Sequence, residues 1–315
     1  MSIEIHHGDC IEVMRTMPDN SIDSIVTDPP YGLGFMGKAW DALPPGLEWA
    51  AECKRVLKPG GHLLAFGGTR TWHRLAVAVE DAGFEIRDSI AWMYGTGMPK
   101  GPATLKPSFE PVVMARKPFS GSMASNRAIH GTGALNIDGC RIEAMDERKP
   151  VSGFKNKSLL NRTSMPNDRP YMGALDPEAS GAVQPHSGGR WPANVLLDES
   201  QAERLGKPRR FFEIPRDFDC CDTGNHGQNF RYESKAPKSE RPSISGITHP
   251  TVKPLSLMRW LVRLVTPERG VVLDPFAGSG TTLEAAVLEG FRSIGIEREA
   301  EYLPLILARI DRSAA

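Results

Sequence analysis

The sequence predicts an α/β fold, a doubly wound sheet assembled from two separate stretches of chain. Three observations predict it. Short apolar strands alternate with amphipathic helices over residues 1–118, the alternation stops near Pro118, and it resumes at Leu255. In each stretch a buried strand also runs into an abrupt turn, at Asp28-Pro29-Pro30 in the first and at Gly278-Ser279-Gly280 in the second. Such alternation is how a sheet covered by helices on both faces is written.

In chain order, Ile3–His6 reads as a short strand, followed by Gly8-Asp9. Ser24–Thr27 follows a Pro-Asp-Asn turn and reads as a buried strand that stops at Asp28. Leu47–Leu57 carries Trp49, Cys53, Val56 and Leu57 at helical spacing, with Pro59-Gly60-Gly61 expected to terminate it. His62–Phe66 is another apolar strand. Thr71–Ala82 repeats the helical spacing through Trp72, Leu75, Ala76 and Val79, and Gly83 stands in the stop position. Ile86–Trp92 and Pro111–Ala115 complete the first half as strands.

From residue 119 to 247 the chain is rich in Gly, Pro, Ser, Asn and Arg, with few periodic apolar stretches. It is too long for an ordinary connection, and Trp191, Val195, Leu196, Phe211 and Phe212 suggest some packing within it. Residues 248–315 then return to the earlier pattern. Leu255–Val265 is an amphipathic helix, Gly270–Leu273 a strand, and Thr281–Leu288 a helix closed by Gly290. Arg292–Ile296 is a strand, and Tyr302–Ile310 a final helix with Pro304 in its first turn. The expected organisation is therefore 1–118 and 248–315 as two halves of one sheet domain, with 119–247 inserted between them.

The 315 residues are 40% hydrophobic and 24% charged, which supports a sizeable core and excludes global disorder. No apolar run is long enough to cross a bilayer, and Met1–Cys10 has neither the basic start nor the apolar stretch of a signal peptide, so a cytoplasmic location is expected. Five cysteines without repeated spacing argue against a disulfide framework. Cys220, Cys221 and His226 lie close together, but adjacent cysteines rarely both reach one tetrahedral zinc; free thiols and no metal are expected. The net charge is zero but unevenly distributed. Pro99–Trp260 holds 24 Lys and Arg against 17 Asp and Glu, and the remainder 14 against 21. A basic middle in an acidic frame can offer phosphates a binding face, although an ordinary solvated surface would give the same count.

Two motifs carry the chemistry. In Val271–Thr282 a buried strand enters a glycine turn from which a helix starts at once. Gly278 and Gly280 let backbone approach a ligand, the helix N-terminus suits an anion, and Glu297, ending the next strand, can accept from both hydroxyls of a ribose. A dinucleotide fingerprint would need glycine at Leu283, so a nucleoside cofactor fits better; a tight turn without any ligand would look similar. In Thr27–Gly32, two prolines fix an extended backbone and remove two N–H donors, leaving Asp28 and the Pro29 carbonyl as acceptors beside the Tyr31 ring. Two acceptors can grip the hydrogens of an exocyclic base amine, and Tyr31 can stack on a flipped base. A plain Pro-Pro turn with a core tyrosine is the bland alternative.

Together the motifs resemble the β-class of DNA amino-methyltransferases, in which the base-methylating motif precedes the cofactor motif. Asp28-Pro29-Pro30-Tyr31 here precedes Phe276-Ala277-Gly278-Ser279-Gly280. Further matches are Gly8-Asp9-Cys10, Arg55-Val56-Leu57-Lys58-Pro59-Gly60-Gly61 and His249-Pro250-Thr251-Val252-Lys253-Pro254. The resemblance covers residues 1–118 and 248–310. It implies an S-adenosylmethionine-dependent methyltransferase (Rossmann-like) sheet of permuted order, mostly parallel, with one antiparallel strand near an edge.

By the same resemblance, Asp28, Pro29, Pro30 and Tyr31 form the catalytic motif, and Asp274, Phe276, Gly278, Ser279, Gly280 and Thr281 surround S-adenosylmethionine. Glu297 holds its ribose, Asp9 with Cys10 flanks its adenine, and Lys253 approaches its methionine carboxylate. The inserted region becomes the target recognition region for double-stranded DNA. Dimers are common in the class, so a homodimer is one assembly it implies.

The expected reaction is transfer of a methyl group to the N6 amine of adenine, as in the methylases of restriction–modification pairs. An N4-cytosine enzyme has the same amine chemistry. Methylation of protein glutamine or of an RNA base, an inactive DNA-binding protein on the same fold, and a nicotinamide dehydrogenase are the other readings. No cysteine stands in the Pro-Cys context that cytosine-C5 methylation requires.

Overall fold

The computed structural model describes residues 2–34, 37, 39–94, 102–142, 191–197, 236 and 240–314. Among these described residues, ten strands are β1 (Ile3–His7), β2 (Ile22–Thr27), β3 (Leu57–Phe66), β4 (Glu85–Met93), β5 (Phe109–Arg116), β6 (Val195–Leu197), β7 (Ser243–Ile244), β8 (Ile247–Thr248), β9 (Val271–Asp274) and β10 (Arg292–Glu297). Seven helices lie in the same described residues: α1 (Cys10–Thr16), α2 (Leu47–Val56), α3 (Trp72–Asp81), α4 (Met123–His130), α5 (Leu255–Val265), α6 (Thr281–Leu288) and α7 (Leu303–Ala314).

Eight strands form one sheet in the order β1-β10-β9-β2-β3-β5-β4-β6, and β7 and β8 pair as a separate hairpin. Only β5 runs against its neighbours β3 and β4, as the resemblance implies. Alternate residues of β2 and β3 face opposite ways. Ile25, Leu63 and Ala65 join α1, α2 and α3 on one face. Val26, Leu64 and Phe66 join α5 and α6 on the other.

The helices start and stop for local reasons. The Asp9 carboxylate caps α1, accepting from the Ile11 and Glu12 N–H groups at 2.9 and 3.3 Å. In α2 the buried residues are Trp49, Ala50, Cys53 and Val56, one stripe at helical spacing. Gly83, at φ +85, turns the chain out of α3.

The expected end of α2 needs correction. The helix ends at Val56 and β3 begins with the next residue, so Pro59-Gly60-Gly61 lies within the span of the strand. It forms a bulge there: Ile22 pairs with Leu57, and the register then shifts to Ser24 opposite His62. A proline without an N–H and a glycine at φ +82 suit a bulge. The Pro59 carbonyl is instead satisfied by the side chains of Asn126 and Thr132.

The inserted segment is less loop-like than its composition suggests. Val195–Leu197 adds a parallel edge strand to β4, with Leu196 and Leu197 fully buried. The Asn126 side chain of α4 also bridges the Pro59 and Thr132 carbonyls. Trp191 is 65% exposed, with the Arg141 guanidinium over its ring. Phe211, Phe212, Cys220, Cys221 and His226 lie outside the described residues.

Candidate active site at the topological switch point

β9 and β2 are neighbours, and from them the sheet extends in opposite directions, through β10 and β1 on one side and through β3 on the other. Open α/β sheets bind ligands beyond the carboxyl ends of the strands at such a reversal. Both sequence motifs begin there, Asp28 directly after β2 and Asp274 at the end of β9. The Thr27 hydroxyl donates to Asp274 Oδ1 at 2.6 Å and ties them together.

A cavity of about 1850 Å³ opens at this point. It exceeds the roughly 300–1,000 Å³ of a single small-molecule pocket, leaving room for a nucleoside cofactor and a base side by side. Asp9, Cys10, Asp28, Pro29, Pro30, Tyr31, Lys253, Asp274, Phe276, Gly278, Ser279, Thr281 and Glu297 all line it. The sole expected site residue off its wall is Gly280. That glycine has φ +83, and a Cβ there would stand 3.0 Å from Ile306 on α7. A glycine there permits close packing against α7 and the turn into α6.

The part of the site expected to hold the cofactor is built around Glu297. Its carboxylate accepts the Gly278 N–H at 2.7 Å and the Glu299 N–H at 2.8 Å. Two of about four lone-pair sites are thus used, and the rest can accept a ribose diol. Burial raises the Glu297 carboxyl to about 7, despite both N–H donors. Burial likewise lifts Asp274 to about 6, against hydrogen bonds from Thr27, Thr282 and the Phe276 N–H. Gly278 has φ +55, and a Cβ would lie 3.0 Å from His249 Nε2. His249 itself packs edge-on against Tyr302; burial lowers it to about 4, so it stands there as a neutral ring. Burial pushes the Cys10 thiol up to about 12, making it a small protonated wall rather than a nucleophile.

The part of the site expected to be catalytic is a four-residue network. Lys253 Nζ donates to Asp28 Oδ2 at 2.5 Å and to the Tyr31 hydroxyl at 3.1 Å, and it lies 3.4 Å from Glu110 Oε2. The Tyr31 hydroxyl sits 2.9 Å from Asp28 Oδ1 and 2.8 Å from Glu110 Oε2, although one phenol proton can serve only one of them at a time. Burial, then the two carboxylates, raise the Tyr31 phenol well above its ordinary value and keep it protonated. Burial opposes the Lys253 charge, but Asp28 and Glu110 overcome this and hold the ammonium above the usual lysine range. Lys253, expected near the cofactor carboxylate, lines the shared cavity and is bonded there to Asp28.

A family model described as DNA methylase, for N6 and N4 methyltransferases, matches residues 22–308. The chain belongs to this N6/N4 DNA methylase family. Membership makes it a DNA amino-methyltransferase.

Its relatives agree. The DNA adenine methyltransferase YhdJ of Escherichia coli is 27% identical over 314 residues, covering 98% of this chain and 82% of its own. The type II methyltransferase M.HindIII of Haemophilus influenzae is 23% identical over 362 residues, covering 93% and 90%. Among solved structures, M1.HpyAVI in complex with SAM matches with a TM-score of 0.50 and 19% identity, covering 98% of this chain and all of its own. The PvuII DNA methyltransferase, described as cytosine-N4-specific, matches with a TM-score of 0.53 and 17% identity, covering 98% and 86%. At these identities the structures attest the fold.

Two residues of the N6/N4 methylase site carry no legible motif. Asp41, buried in a short 3-10 turn, accepts the N–H groups of Tyr31 and Gly32 on Oδ1 and of Leu33 on Oδ2, at 2.7, 2.9 and 3.2 Å. It fixes the loop that aims Tyr31. Glu110, at the start of β5, reaches Tyr31 only through the antiparallel crossing of the sheet. An isolated acidic residue in a strand pattern gives no signal in sequence. Among the described residues no group of three or more His, Cys, Asp and Glu could hold a metal, and no helix is long and apolar enough to cross a membrane.

Proposed function

We propose that the chain transfers a methyl group from S-adenosylmethionine to the N6 amine of adenine in double-stranded DNA. The observation that carries it is the shared cavity, which brings Asp28-Pro29-Pro30-Tyr31 alongside Glu297 and the glycine turn. S-adenosylmethionine, present in the M1.HpyAVI complex, supplies when bound a methyl group activated by its sulfonium. Glu297, Asp274 and the Phe276–Thr281 turn hold the cofactor, and the Trp49 ring backs Phe276 at 5.9 Å.

The chain's own groups do the rest. Asp28 and the Pro29 carbonyl accept the two amine hydrogens, and Tyr31 bounds the base, with its ring orientation set by its hydroxyl partners. Acceptors fixed before the base arrives need no reorganisation during transfer. The cavity also suits a large polyanion: exposed Arg70 and Lys106 line it, as do Leu43 and Leu105, which are 79% and 93% exposed. Apolar side chains so exposed are favourable where a macromolecule covers them.

Adenine is preferred over cytosine because the first motif residue is Asp28, which accompanies adenine more often in the resembled class. The adenine-methylating relative YhdJ is aligned over nearly the whole chain. The test is nucleoside mass spectrometry of unmethylated phage DNA incubated with protein and isotope-labelled S-adenosylmethionine, with Asp28→Ala as the blank. Labelled N6-methyladenine is expected, absent with the variant. N4-methylcytosine as sole product would overturn the base assignment, and equal labelling by Asp28→Ala would overturn the role of Asp28.

A further inference from the structure

The described surface offers few rivals to the cavity. The shallow groove between α2 and α3, lined by Leu47, His73 and Val77, holds no group that points to a ligand. The buried Arg309–Glu284 pair serves the fold, with Arg309 also donating to the Ser279 carbonyl. The network around Tyr31 carries more, because it contains a carboxylate that the amine mechanism leaves unused.

We infer that Glu110 is a positioning residue of the transfer, supplying the uncompensated negative charge against which the target amine becomes positive. This rests on the amine-methylation reading above. Asp28 and Glu110 share a single ammonium, Lys253, and the phenol between them is neutral, so the cluster carries a formal charge of −1. Without Glu110, the closer Asp28–Lys253 pair would be neutral as a unit.

The charge balance of the reaction shows why this matters. A carbon–nitrogen bond forms while the carbon–sulfur bond breaks, its electron pair stays on sulfur, and the positive charge moves to the amine nitrogen. One N–H proton then leaves, through Asp28, to solvent. A site that is negative beforehand favours that displacement of charge, and burial strengthens the effect. Glu110 is well placed to act through its neighbours: 2.8 Å from the Tyr31 hydroxyl, 3.4 Å from Lys253 Nζ, and hydrogen-bonded by Tyr94 as well. Its side chain is 22% exposed and lines the same cavity.

The test compares wild type, Glu110→Gln and the double variant Glu110→Gln/Lys253→Met on unmethylated phage DNA. Glu110→Gln keeps the size of the side chain and one acceptor oxygen for the Tyr31 hydroxyl, and removes the charge. It should lower kcat by about 10- to 100-fold, the scale of losing one preorganised electrostatic partner, with S-adenosylmethionine affinity and melting temperature little changed. The double variant restores −1 through Asp28 alone and should recover part of the lost kcat. In the free protein, NMR of carbon-13-labelled lysine should show Lys253 titrating lower in Glu110→Gln than in wild type. Unchanged kcat in Glu110→Gln, or a double variant no faster than the single one, overturns the inference. An inactive wild type would instead overturn the underlying functional reading.

Discussion

Thr27 and Asp274 are joined by a 2.6 Å hydrogen bond between residues 247 positions apart in sequence. They end adjacent strands β2 and β9, so this bond closes the seam between the Asp28-Pro29-Pro30-Tyr31 motif and the glycine turn. Asp274 is almost fully buried, and burial has already raised its carboxyl to about 6 despite the Thr27, Thr282 and Phe276 donors. The seam is therefore a place where little hydrogen bonding can be lost.

Thr27→Val should destabilise the protein by about 1–3 kcal/mol, the cost of leaving a buried charged acceptor short of a donor. Valine is nearly isosteric, so packing is preserved and the hydroxyl alone is removed. Thr27→Ser should stay close to wild type. Urea unfolding checks both, and a Thr27→Val midpoint equal to wild type would count against the seam.

Glu297 makes cofactor affinity depend on pH. In the free protein its carboxyl sits at about 7, raised by burial. Ribose hydroxyls donate to the ionised form, so binding should strengthen as pH rises through 7 and release a proton. If only the carboxylate binds, affinity at pH 6 falls about tenfold below that at pH 8. Glu297→Ala should bind about 1–3 kcal/mol more weakly at pH 8 and lose this part of the pH dependence. The cofactor's own amine titrates with both proteins, so calorimetry of the difference between them isolates Glu297. Parallel pH profiles would remove the ribose assignment.

Asp41→Ala should impair turnover more than cofactor binding. It strands three N–H groups of the Tyr31–Leu33 loop and frees the Tyr31 ring, proposed above to bound the base. Misplacement by about 1 Å can cost about 100-fold in rate, so a kcat loss of tenfold or more is expected, with S-adenosylmethionine affinity nearly unchanged. Single-turnover methylation and calorimetry separate the two effects; a variant with wild-type kcat would show that Tyr31 is aimed without Asp41.

The centre of the sheet is legible because β2 and β9 are buried on both faces and run into proline or glycine turns. Ile25-Val26 and Val272-Leu273 read as core whichever face each residue takes. The motifs were legible because their chemistry is compressed into a few consecutive residues. What escaped was chemistry assembled across the fold. Glu110 meets Tyr31 across 79 positions and Lys253 meets Asp28 across 225, so no local pattern announces either pair. Pro59-Gly60-Gly61 is ambiguous in sequence for a related reason. A helix stop and a β-bulge demand the same residues, and only the partner strand with its register shift distinguishes them. The strand Val195–Leu197 was hidden by its length, since three apolar residues among turn formers carry no period.

The last prediction concerns the inserted segment. The excess of basic residues falls between Pro99 and Trp260, but not all of that span is free to read DNA. α4 is bonded to the Pro59 carbonyl, and β6 is paired to β4 with its side chains in the core. Replacing all of residues 120–245 would therefore strip structural parts of the sheet domain along with any recognition surface. Replacing residues 143–190 alone with a short flexible linker keeps α4, β6 and the β7–β8 hairpin. If recognition resides there, the shortened protein should retain wild-type S-adenosylmethionine affinity and lose sequence selectivity, methylating DNA weakly and at many sites. Mapping modified bases by sequencing checks this directly. A shortened, folded protein that still methylates the wild-type site alone would place recognition elsewhere, in the rim of the cavity or in residues 198–239.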